Sequence, residues 1–125
     1  MEYEVRLVIL ETFDVAKPVG KNLVSIMVGA VMDASATSSG REESMETDVH
    51  NGSSDGWGIF NWRMKFSFKT PCQFPRIKVS IYDFSPFGTN ECIGETTISL
   101  KRVLNSLRTE SKYSMPPKAI KVTNP

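Results

Sequence analysis

The residues best placed to do chemistry fall in the stretch "YDFSPFGTNECIGE", residues 82 to 95, where Asp83, Asn90 and Glu91 carry side-chain oxygens between two apolar runs. Oxygen ligands in a loop after a strand suit a hard divalent cation, because calcium takes six to eight oxygens and charged carboxylates set its affinity. The stretch reads as a calcium loop from which most carboxylates have been removed. Covalent catalysis has less to work with. The one histidine, His50, lies in a strand candidate with no cysteine nearby in sequence and no Ser-containing elbow, so no nucleophile has its base, no enzyme is expected and His50 is assigned a structural role. Cys72 and Cys92 would pair only in an oxidising compartment; two thiols make no disulfide framework, and reduced cytosolic thiols are the preferred reading.

The elements that must position these residues are strands. "YEVRLVILETF", residues 3 to 13, is rich in β-branched residues and sets Tyr3, Val5, Leu7 and Ile9 on one face. Pro18 and Gly20 break the chain before a second strand, "LVSIMVGAVM", residues 23 to 32. "METDVH" is a short strand candidate, and "NGSSDGWG" a Gly-rich connector. "FNWRMKFSFK", residues 60 to 69, alternates most clearly, with Phe60, Trp62, Met64, Phe66 and Phe68 inward against Asn61, Arg63, Lys65, Ser67 and Lys69 outward. "RIKVSIYD" repeats the pattern with Ile77, Val79 and Ile81 inward and Arg76, Lys78, Ser80 and Tyr82 outward, and "ECIGETTISL" follows. The spacing of Leu100, Val103, Leu104 and Leu107 behind Ser99 predicts a short amphipathic helix over 100–107, and "KAIKV" a last strand. Residues 34 to 44, "ASATSSGREES", hold too little apolar surface to offset the entropy of ordering and are expected to form a flexible loop.

Many short strands with turn signals and almost no helix specify an all-β, antiparallel sandwich. At 125 residues there is room for one domain, spanning 1–125. With 15 basic against 14 acidic residues and a formal net charge of +1, no global field favours nucleic acid or an anionic surface, so any such binding must be local and nucleic acid is not expected as a partner. No run of about 18 apolar residues forecasts a spanning helix. An immunoglobulin-like sandwich would want cysteines before and after a core tryptophan, whereas Cys72 and Cys92 both follow Trp62.

The run "ETDVHNGSSDGWGIFNWRMKFSF", residues 46 to 68, resembles the ferlin-type C2 domain: Thr47, Asp48, Val49 and His50, then Gly56 and Gly58, then Phe60, Asn61, Trp62 and Arg63, then Phe66 and Phe68 fit its pattern without a gap. A looser C2 pattern covers residues 3 to 22 and 76 to 99. The resemblance implies an eight-stranded C2-type sandwich of type II topology, with its ligand loops gathered at one end. Seven strands are legible, leaving one unread. It also implies a cytoplasmic module, peripheral to membranes, for vesicle trafficking, exocytosis and membrane fusion. The parent would be a larger protein with several C2 domains that can itself be membrane-anchored, or a small double-C2 protein. The implied partners are anionic phospholipid membrane, or neighbouring domains and trafficking proteins.

Laid on that pattern, Asp83 keeps the first acidic position of the third loop, Ser85 stands where a second aspartate is expected, and Asn90 with Glu91 stand where the last acids would lie. The first loop offers Asp14, while the aspartate expected at the start of the second strand is replaced somewhere in 22 to 25. Each lost carboxylate removes a negative charge facing the cation, so the metal site reads as degenerate and calcium is disfavoured as a cofactor. Phe84 and Phe87 put aromatic groups at the tip of the same loop, and Trp57 lies on the Gly-rich connector, all three as candidate membrane contacts. Either phenylalanine could instead fold back to cap the sandwich, and Trp62 is placed in the core. The basic set Arg63, Lys65, Lys69, Arg76 and Lys78 raises the idea of a phosphoinositide surface, but the pattern places these strands in different sheets and solvated strand faces are the preferred reading.

Overall fold

A computed structural model describes residues 2–72 and 75–101. Seven strands run β1 Glu2–Thr12, β2 Val24–Met32, β3 Glu43–Glu46, β4 His50–Ser53, β5 Gly58–Lys69, β6 Arg76–Asp83 and β7 Glu91–Ser99. β1 pairs antiparallel with β5 in one sheet, and the other is ordered β3-β2-β6-β7 with β4 also on β2. All pairings are antiparallel, as the alternating patterns require. The predicted last strand at "KAIKV" lies outside the described residues. So does all of the predicted helix but its start, where the Lys101 N–H donates to Ser99 Oγ at 3.3 Å, as an N-cap would accept it.

The inward residues of the two sheets meet in one core. Val28, Ala30 and Met32 from β2 and Ile77 and Val79 from β6 face Met64, Phe66 and Phe68 from β5, with Tyr3, Val5, Leu7 and Ile9 of β1 packed against them. Tyr3 stacks on Phe68 with ring centroids 5.3 Å apart. Phe66 and Phe68, both buried, each contribute about 2–3 kcal/mol by leaving water, so the β5 alternation is a main source of stability.

Three local expectations need correction. Trp62 is not a core residue: it is 38% exposed. The register between β1 and β5 shifts between Ile9 and Glu11, and Asn61 adopts φ 47°, so a bulge interrupts the strand beside Trp62 and ends the closely packed run at Met64. Ser80, expected outward, is buried; it sits on a central strand opposite Gly29 and Glu95, flanked on its own side by the longer Lys78 and Tyr82. "METDVH" is not one strand. β3 ends at Glu46 and β4 starts at His50, because Thr47 turns inward, its Oγ1 accepting from the Val28 N–H at 3.0 Å and donating to the Asp48 carbonyl at 2.8 Å. Separately, within segment 34–44 Ala36 and Thr37 are fully buried, the Ser38 N–H donates to the Ser67 carbonyl, and the Lys69 N–H to the Ala36 carbonyl. Small side chains let this segment lie close along β5.

Candidate functional site

Strand register brings three connections to one end of the sandwich. Thr12 stands opposite Gly58, Val24 opposite Ser53, Ile26 opposite Asp83, and Asp83 opposite Glu91. The first loop, 13–23, the second, 54–57, and the third, 84–90, therefore emerge together. Beneath them Val15, Val24 and Ile26 form a second small core with Phe60, Ile81 and Ile93 packed against it.

The second loop is shaped by Asp55, whose Oδ1 accepts from the Trp57 N–H at 3.0 Å and the Ser53 hydroxyl at 3.1 Å. These two hydrogen bonds, the backbone one foremost, hold its carboxyl below the usual range. Gly56, at φ 76°, lies so close to the first loop that a Cβ there would land on the Val15 backbone. That approach lets the Val15 N–H reach the Gly56 carbonyl at 3.2 Å. Lys17 Nζ adds a bond to the Ser54 carbonyl at 2.8 Å, and the Trp57 indole N–H donates to Glu11 at 3.1 Å.

Asp83 ends β6 almost fully buried. Its Oδ2 lies 2.8 Å from Lys21 Nζ, and its Oδ1 accepts from the Ser25 N–H at 2.9 Å. Burial alone would push this carboxyl up, but the Lys21 and Ser25 donors outweigh it and hold the group below its usual value. Lys21 responds in the matching sense: the hydrogen bond and charge of Asp83 raise its pKa, with Glu91 adding a smaller push. The third loop is closed by the Ser85 N–H donating to Asn90 Oδ1 at 3.0 Å, and the Phe84 N–H donates to the Ser25 carbonyl at 2.8 Å.

Two of the four residues expected to hold calcium are engaged by protein donors. Both Asp83 oxygens and the Asn90 oxygen already accept protein donors, Asp14 is exposed at φ 49°, and Glu91 is exposed. Among the described residues no three His, Cys, Asp or Glu side chains gather as a metal group. Calcium takes six to eight oxygens, and against that number this set offers the carboxylates of Asp14, Asp83 and Glu91 and the Asn90 amide.

The aromatic candidates divide. Phe87 is 99% exposed and Trp57 44% exposed, whereas Phe84 is half-buried. The loops also expose Phe13, Val19 and Leu23, which reasoning from sequence does not single out. Five of the nine exposed large hydrophobics among the described residues therefore sit in these three loops. The available sequence signal is a set of apolar residues within a segment otherwise marked as a turn by Pro18 and Gly20. Lys17 and Lys21 are missed in the same way, though Lys21 directly precedes the positions where an expected aspartate is missing.

The basic residues do not converge. Arg63, Lys65 and Lys69 lie exposed on the outer face of the β1–β5 sheet, where Lys65 Nζ is 3.7 Å from Glu4 and Lys69 stands opposite Glu2. Arg76 and Lys78 belong to the other sheet, with Lys78 Nζ 3.9 Å from Glu95. His50 packs edge-on to Phe60 with centroids 6.4 Å apart.

An antiparallel sandwich with three loops gathered at one end is the C2 architecture, and the C2 domain family profile matches residues 5–115; the chain belongs to that family. Its relatives are ferlins. It is 42% identical to Ferlin 2 of Tetrahymena thermophila over 100% of its own length and 8% of that protein. It is 29% identical to Ferlin 1 of Toxoplasma gondii over 99% of its length and 8% of the relative, and 30% identical to Ferlin 2 of Toxoplasma gondii over 82% and 7%. The chain thus spans under a tenth of the length of these curated relatives. A solved structure described as "CC2D1B coordinates ESRCT-III activity during the mitotic reformation of the nuclear envelope" aligns over 80% of this chain and 42% of its own, with a TM-score of 0.63 and 15% identity, a likeness of fold alone.

Proposed function

We propose that this chain is a non-catalytic, cytoplasmic C2 module that docks peripherally on anionic phospholipid membranes without needing calcium, within a larger protein of vesicle trafficking, exocytosis or membrane fusion. The observation that carries the reading is the group of exposed apolar residues Phe13, Val19, Leu23, Trp57 and Phe87 on the three loops of one end. Each contributes on the order of 1–2 kcal/mol when it leaves water for the bilayer interface, so several acting together give a useful affinity with no bridging metal. The similarity to ferlins supports the cellular setting. The engagement of Asp83 by Lys21 and Ser25 supports the indifference to calcium.

Val8, Leu10 and Ile59, exposed on the β1–β5 sheet, favour a second reading as an interaction domain that packs against a neighbouring domain without lipid. Sedimentation with anionic vesicles separates the two. Binding that is equal in calcium and in chelator, and is lost in Phe87→Ser, supports docking; binding in neither condition supports the second reading. Binding in calcium alone contradicts the metal-free mechanism.

A further inference from the structure

The first loop extends one lysine to each of the other two loops. Lys17 Nζ reaches the Ser54 carbonyl of the second loop at 2.8 Å, and Lys21 Nζ reaches Asp83 at the base of the third at 2.8 Å. A divalent ion in a loop-built site does two things: it neutralises buried carboxylates and it ties separate loops to a common point. Here both tasks fall to side chains. Asp83 is nearly buried, and a buried carboxylate without a counter-charge is costly. Its partner is an ammonium on a flexible stem that remains half-exposed, so the head group reaches inward while the stem spans the gap between loops. The buried charge to be neutralised here is a single carboxylate, Asp83, and one ammonium meets it. Asp83 and, further out, Glu91 are the acids of the site, and the oxygen at Asn90 is neutral and turned to Ser85.

We propose that Lys21 is a tethered cation standing in for a metal ion: it neutralises Asp83 and holds loop 13–23 against the third loop, while Lys17 fastens the same loop to the second. The docking end is therefore assembled before any membrane or metal arrives. A consequence is that removing the ammonium should turn a calcium-indifferent domain into a calcium-responsive one, because it frees an Asp83 oxygen beside Glu91. The consequence for membranes rests on the docking reading above; the clamp itself does not.

The test measures thermal unfolding of the full chain in chelator and in millimolar calcium. The native chain is expected to melt at the same temperature in both. Lys21→Ala should melt roughly 5 °C lower in chelator and recover part of that loss in calcium. The double variant Lys21→Ala with Asp83→Asn should regain most of the loss without calcium and ignore calcium thereafter. Lys21→Gln, which keeps a donor but no charge, replaces Lys21→Ala if the latter fails to fold. Lys65→Ala, whose partner Glu4 is partly exposed, serves as a control that calcium leaves unchanged. A lysine variant as stable as the native chain, or one that calcium does not stabilise, overturns the proposal, as does a calcium shift in the native chain. Vesicle sedimentation of the same variants should show reduced binding in chelator for Lys21→Ala, restored by calcium. If the native chain binds no vesicles, the docking reading fails while the melting data still decide the clamp.

Discussion

At the loop end, the exposed Lys17 and Lys21 bind a carbonyl and a buried carboxylate, while Phe13, Val19, Leu23, Trp57 and Phe87 also meet solvent. At the opposite end, Val31, Asp33, Glu42, Arg76, Lys78 and Thr97 line an open groove of about 370 Å³, with both signs of charge facing outward. At one end the lysines are engaged by loop acceptors beside exposed apolar groups; at the other, charges of both signs line a groove. The contrast teaches why the net charge of +1 says so little about partners. What matters is which charges are consumed within the fold, and here the cations nearest the apolar tips are consumed.

The largest effect that should break this contrast comes from Gly56. Its backbone stands against the first loop with no room for a Cβ, and its φ of 76° disfavours any other residue. Gly56→Ala is expected to cost roughly 2–4 kcal/mol in chemical denaturation. Gly20→Ala, at φ 82° but with nothing within 4 Å, should cost only about 1 kcal/mol. Equal costs would mean that contact between the first two loops adds nothing.

The pH dependence sharpens the comparison next. Asp83 and Asp55 have folded pKa values below the ordinary carboxylate range, so the stability they contribute is present above that range and is lost as pH falls through the depressed values. Lys21 is raised above its ordinary 10.5, so its contribution holds below that value and is lost as pH rises through the elevated one. Urea midpoints should therefore drop below about pH 4 and again above about pH 10.5, and Asp83→Asn should flatten the acid limb. An acid limb unchanged in that variant would place its origin elsewhere.

The smallest effects are expected from the outward charges. Lys65→Ala and Lys78→Ala each remove a pair that is about half-exposed, and each should change stability by less than about 0.5 kcal/mol and vesicle binding by less than about threefold. A tenfold loss of binding in either would move the docking surface from the loop end to a strand face.

How much of this is legible in the sequence follows from range. The β5 alternation can be read because Met64, Phe66 and Phe68 follow a local period of two, and the same holds for Ile77 and Val79. Trp62 defeats that reading because periodicity assumes an uninterrupted pleat, and the bulge beside it exists only in the pairing of β5 with β1. Asp83 is legible as the acid that keeps its place in the third loop, but its partner lies 62 positions away, and only the topology brings Lys21 to it. Asp14, Asn90 and Glu91 lie in or beside the loops at the same end of the fold. Ala36 and Thr37 are missed because their burial depends on lying along β5, not on their own hydrophobicity.

The most direct measurement places a single tryptophan at position 87, by Phe87→Trp with Trp57→Phe and Trp62→Phe, and follows quenching by lipids brominated along the acyl chain. In anionic vesicles with chelator, the account predicts strong quenching that calcium does not increase. Emission unquenched in chelator, or quenched only once calcium is added, would contradict it.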